Sequence, residues 1–229
     1  MRIGRCAIHW VILIIFGVLL LDQGTKFYIK LNYPISSYFS PAILDWGFFK
    51  VLFVENPGMA MGTKVSDIIP IGDEETAKLI LTFFRMIVIT GIGLYLFFRV
   101  IQKQSRVLKW SIALIFAGAL GNLIDSIFYG VFFTHSYGQV AQFLPEQGYA
   151  PFFLGHVVDM IQFPLFSWVW PEWVPLIGGK EYTFFQYVFN IADTAITTGV
   201  MMVVFFSRRI SRANESQKPT SKEEIIEQS

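Results

Sequence analysis

A chain of 229 residues that is 54% hydrophobic, 17% aromatic and only 15% charged departs from a soluble domain, in which about a quarter of residues are charged. Its 18 basic and 17 acidic residues leave a net charge of +1, so no basic field points to nucleic acid. A single cysteine, Cys6, excludes an internal disulfide, and His9, His135 and His156 have no HxxxH or HExxH spacing, so no metal or organic cofactor is expected.

A helix needs about 20 mainly apolar residues to cross a bilayer, and Ile8–Phe27 is the first stretch that qualifies. Arg2 and Arg5 ahead of Trp10–Leu21 also resemble a secretory signal, but LDQGTKF follows where a small-residue cleavage site would stand, so the segment is read as a retained span. Residues 30–78 form an outer segment in which WGFFKVLFVE, Trp46 to Glu55, is rich in β-formers and stops at the turn signal Asn56, Pro57, Gly58. Ile80–Ile101 and Trp110–Phe133 are the second and third spans. Residues 134–186 make a second outer loop full of Phe, Trp, Tyr and Pro, a composition suited to lying in the lipid headgroup region. Tyr187–Phe206 is the fourth span, and the polar tail 208–229 is expected to be disordered. The expected fold is therefore an all-α polytopic membrane protein: a four-helix domain over residues 1–207 with a small extracytoplasmic β element and a long aromatic outer loop.

Basic residues set its direction. Arg2 and Arg5 precede the first span, Arg99, Lys103, Arg106 and Lys109 join the second to the third, and Arg208, Arg209 and Arg212 follow the fourth, which places both termini in the cytoplasm. Asp22, Asp125, Asp159 and Asp193 then converge on the outer leaflet, with Asp193 about two turns inside the fourth helix. Carboxylates at such depth are costly and mark function by default. On the third helix Ala113, Ala117, Gly121 and Asp125 form a small-residue stripe ending at the acid, and on the fourth Asn190, Asp193, Thr194 and Thr197 share one face. Asp22 has Lys26 one turn on and reads as a helix-bonding pair; Asp159 and Asp193 have no basic residue within four positions in the sequence other than His156 and read as chemistry. Two nearby carboxylates in a poorly solvated site share one proton, so one can deprotonate a water while the other protonates a carbonyl oxygen.

These residues resemble the motifs of bacterial lipoprotein signal peptidase, the type II signal peptidase. The likeness lies in DQGTK from Asp22, ENPGMAMG from Glu55, GALGNLID ending at Asp125, GHVVD ending at Asp159 and FNIAD ending at Asp193, and it spans Leu21 to Thr197. The resemblance implies an aspartyl endopeptidase of the inner membrane with Asp159 and Asp193 as the catalytic pair. It implies Asp22, Lys26, Asn56, Gly58, Asn122, Asp125 and Asn190 as substrate-binding or site-bracing residues. Its implied partners are lipidated prolipoproteins, cut before a diacylglyceryl-modified cysteine, membrane lipids, and globomycin-type inhibitors. The chain departs from the family at Ser126, where many members have arginine, at Met59 and Met61, and in its longer interval from Asp125 to Asp159. Arg85, at a similar depth on the second helix, is expected to supply the charge that Ser126 lacks. An ion-coupled transporter is the competing class, but its acids would sit near the bilayer midplane and its halves would repeat. A scaffold whose acids only bond helices is the other; loss of cleavage in Asp193→Asn would separate the enzyme from both.

Overall fold

The computed structural model describes residues 3–36, 42–57, 73–100 and 105–215. Helix α1, Ile3–Asn32, carries an uninterrupted apolar run and stops two residues before Pro34, which disfavours helical backbone at the preceding position. The hairpin of β1, Leu44–Asp45, and β2, Lys50–Asn56, turns at Gly47, whose φ of 78° requires a residue without a side chain. Helix α2, Glu74–Tyr95, starts behind Asp73, whose carboxylate accepts the Thr76 amide at 3.0 Å, and Glu74 and Glu75 sit favourably at its positive end. A π-helical turn, Leu96–Val100, continues it. Helix α3, Arg106–Ile124, runs into a second π-helical turn, Asp125–Tyr129, and a short helical turn, Gly130–Phe132. Strands β3 (Val157–Gln162), β4 (Ser167–Val169), β5 (Glu181–Thr183) and β6 (Val188–Phe189) precede α4, Ile191–Phe205, and α5, Ser207–Glu215.

Three helical stretches among the described residues, Ile8–Asn32, Glu74–Phe98 and Arg106–Phe132, are long and apolar enough to cross a membrane. The fourth expected span is shorter than its sequence suggests. Val188 and Phe189 pair with Gln162 and Ile161 of β3, so the helix begins only at Ile191. Two further expectations need correction. The tail is helical through Glu215, and the aromatic outer loop contributes three strands, β3, β4 and β5.

The chain divides into two compact units. One gathers Met1–Leu21, Met86–Gly121 and Ile191–Ser229. Its packing relies on small residues: Ala113 and Ala117 are fully buried, and a side chain on Gly118 would strike the Ala192 carbonyl and the Ile196 side chain. Ala192, Ala195 and Gly199 form the buried side of α4, whereas Thr194 and Thr197 are exposed. The buried side of α4 is thus a small-residue face, because α3 approaches too closely for anything larger.

The other unit, Asp22–Arg85 and Asn122–Asn190, holds a four-stranded antiparallel sheet in the order β1-β2-β3-β6. Ile29, Phe53, Tyr129, Phe133, Val158 and Met160 form its apolar core. The segment after Phe133 folds back onto the end of α3: the amides of Tyr149, Ala150 and Gly155 donate to the carbonyls of Phe133, Gly130 and Ser126 at 3.0, 3.0 and 2.9 Å. A separate β4–β5 hairpin stacks Phe166, Trp168, Tyr182 and Phe184 on one face.

Candidate functional site

The polar residues of the sheet unit converge around the last three turns of α1. Asp22, Lys26 and Lys30 recur every four residues, and all three are fully buried. Lys26 Nζ lies 2.8 Å from both Asp22 Oδ2 and Asp125 Oδ2 and donates to Asn122 Oδ1 at 3.0 Å. Gln23 donates to both aspartates, at 3.0 and 2.9 Å, and accepts from the Tyr129 hydroxyl at 3.1 Å. Asp125 opens the π-helical turn, a local widening that occurs frequently at functional sites. One ammonium thus serves two buried carboxylates, and hydrogen bonds occupy the remaining positions, the condition under which a buried ion cluster is tolerated.

Asp159, 4% exposed, lies in β3 between two asparagines. Asn56 Nδ2, at the end of β2, donates to its Oδ2 at 3.1 Å, and Asn190 Nδ2 donates to its Oδ1 at 2.7 Å. Asn190 also donates to Asn122 Oδ1 at 3.0 Å, so a continuous set of contacts runs from Lys26 through Asn122 and Asn190 to Asp159. The Val158 amide donates to Asp125 Oδ2 at 3.3 Å, and its carbonyl accepts from Asn190 at 3.3 Å. Of the nine residues expected from the sequence, seven (Asp22, Lys26, Asn56, Asn122, Asp125, Asp159 and Asn190) therefore meet in one network. Asp193 sits in the first turn of α4, half-buried, three residues beyond Asn190 along the chain. It is shallower in its helix than expected because β6 takes the residues before Ile191. Gly58, with Met59 and Met61, lies outside the described residues.

The cation meeting Asp125 is Lys26 of α1. Ser126 is 2% exposed, and its hydroxyl donates to the Asn122 carbonyl. The sequence reading also missed a second buried cluster. Lys30, expected in the outer segment, belongs to α1 and pairs with Glu55; its Nζ also donates to Ser136 Oγ at 3.0 Å, and Ser136 donates to Glu55 Oε1 at 2.6 Å. The four-residue step from Lys26 was the signal that could have found it. Burial works to raise the Glu55 carboxyl, but His156, Lys30 and Ser136 outweigh it and hold it at about 2. Burial likewise raises the Tyr149 hydroxyl, which accepts the His156 amide at 2.6 Å.

The chain is similar to known proteins across most of its length. The profile of the family described as Signal peptidase (SPase) II matches residues 14–209. A lipoprotein signal peptidase of Porphyromonas gingivalis is 40% identical over 205 residues, 88% of this chain and 84% of that one. One of Amoebophilus asiaticus is 32% identical over 218 residues, 93% and 83% of the two chains. Among solved structures, a bacterial membrane enzyme determined by the in meso method at 1.9 Å shares the fold, with a TM-score of 0.51, 24% identity, and coverage of 86% of this chain and 92% of that one. With the motif residues gathered around a buried aspartate and the profile spanning nearly all the described helices and strands, the chain belongs to the signal peptidase II family of aspartic membrane peptidases.

Proposed function

We propose that the protein removes the signal peptide from diacylglyceryl-modified prolipoproteins, cutting before the lipidated cysteine, with a water activated by Asp159 and Asp193. The observation that carries this reading is the bracket on Asp159, whose two oxygens each accept a hydrogen bond from an asparagine side chain. Such a carboxyl group is held in one orientation, as a group exchanging protons with a water must be. Asp193 completes the FNIAD segment that begins beside Asn190. In the reaction one aspartate takes a proton from water as the water oxygen bonds to the scissile carbonyl carbon, and the other gives a proton to the carbonyl oxygen. Collapse of the tetrahedral intermediate breaks the C–N bond as the leaving amine takes the proton that the first aspartate received and the oxygen returns its proton to the second.

The protein works in the inner membrane with both termini cytoplasmic and the reaction at the outer leaflet, as the basic residues flanking the helices support. Helix α4 is its fourth span; its 15 residues reach only about 22 Å, and Phe206 follows it. Lipid recognition supplies much of the affinity, because each buried CH₂ is worth about 0.8 kcal/mol. Globomycin-type peptides would compete for this site.

The test is cleavage of a lipidated prolipoprotein by the purified protein in lipid nanodiscs. Asp159→Asn and Asp193→Asn should each abolish product while keeping the wild-type unfolding midpoint, and an unlipidated precursor should show a much lower kcat/KM. Substantial turnover by either folded variant would refute the aspartate pair, and equal kcat/KM for the two precursors would refute lipid recognition.

A further inference from the structure

Strand β2 meets β3 with a break in register. Lys50 and Val51 stand opposite Gln162 and Ile161, whereas Val54, Glu55 and Asn56 stand opposite Asp159, Val158 and Val157, one residue out of step. The extra residue between Val51 and Val54 makes a β-bulge, a feature that re-aims the side chains beyond it. Without it, the first register would continue, and Asn56 would fall opposite His156 rather than Val157. Its amide would then be displaced by one residue from Asp159, since pairing shifts one residue at a time.

The residue next to Asn56 is held with unusual completeness. Glu55, 6% exposed, pairs with Lys30 of α1 and accepts from Ser136, so three separate chain segments meet at one carboxylate. The Lys30 ammonium lies 5.3 Å from the Phe133 ring centroid and 5.0 Å from that of Tyr149, which fixes the cation as well. The backbone opposite Glu55 is Val158, already held through its amide by Asp125 and through its carbonyl by Asn190. The two lysines of α1, one turn apart, thus act on the same point of the sheet: Lys26 through Asp125, Lys30 through Glu55.

We infer that the Lys30–Glu55–Ser136 cluster is a positioning device that locks the bulged register of β2 on β3 and thereby keeps Asn56 on Asp159. This rests on the reading of Asp159 as a catalytic residue. All three are buried and act through Asn56 and Val158.

The test replaces the cluster by apolar groups of similar volume, Lys30→Met/Glu55→Met/Ser136→Ala, an exchange that buried ion pairs often tolerate without loss of stability. In nanodiscs the triple variant should cleave lipidated prolipoprotein with kcat lowered at least tenfold and KM unchanged, at an unfolding midpoint near that of the wild type. Amide exchange at Val158 and Asp159 should accelerate at least tenfold while α3 keeps its protection. Glu55→Gln, which keeps an acceptor for Ser136 and Lys30, should show the same kcat effect in smaller degree and serves if the triple variant does not fold. Unchanged kcat and unchanged β3 exchange in a folded variant would overturn the inference. If the wild type fails to cleave, the functional reading fails, and amide exchange alone decides whether the register is locked.

Discussion

Lys26 and Lys50 each reach an aspartate at nearly the same distance, 2.8 Å to Asp22 and 2.9 Å to Asp45. Their surroundings differ completely. The Lys26 pair has no exposed side-chain surface, whereas the Lys50 and Asp45 side chains are 31% and 48% exposed at the β1–β2 hairpin. In the hairpin, water solvates either partner if the other is removed, so the pair adds little. At the end of α1 no solvent replaces a lost partner, and removing one charge strands the others. Distance alone therefore says little about what an ion pair does; burial decides whether it shapes the molecule.

The sharpest way to break this comparison is Lys26→Met, which leaves Asp22 and Asp125 buried without their shared cation. It should destabilise the protein by about 3–5 kcal/mol, read as equilibrium unfolding in mixed micelles. A cost equal to that of removing Lys50 would sink the argument.

Glu55 offers a pH-dependent version of the same contrast. Its carboxyl is held at about 2 against an ordinary value of 4.5, so its contribution is fully present above pH 4.5 and fades as pH falls toward 2. A shift of that size corresponds to about 3 kcal/mol. The wild type should lose that stability across this window, and Glu55→Gln should show a flatter profile there. Parallel profiles for the two proteins would contradict the assignment.

Ser136→Ala removes one hydrogen bond to Glu55 and one acceptor for Lys30 but leaves both charges paired. A cost of about 1–3 kcal/mol is expected, less than for Lys26→Met in the same unfolding assay. The smallest effect belongs to Lys50→Ala, whose unfolding midpoint should match the wild type at moderate salt. A clear drop would show that the geometry of the exposed pair outweighs solvent screening.

The regions that the sequence reading described well are those in which one local rule prevails. Apolar runs marked α1, α2 and α3, β-formers and a turn signal marked β2 and its end at Asn56, and four-residue spacing paired Asp22 with Lys26. Reading failed where two rules compete. Val188 and Phe189 suit either a span or a strand, and pairing with β3 decides for the strand. Thr194 and Thr197 share a helical face with Asp193, yet the approach of α3 at Gly118 and Gly199 selects the Ala192, Ala195 and Gly199 side.

The sequence by itself determined the membrane character and the family, because apolar length and short motifs are properties of neighbouring residues. Only the tertiary structure decided which cation serves Asp125 and which asparagines hold Asp159, and it alone revealed Lys30 beside Glu55. Those contacts join residues far apart in the chain. Such an arrangement depends on helix ends and strand register, and a shift of one residue in β2 against β3 would change the pairing without changing any local pattern.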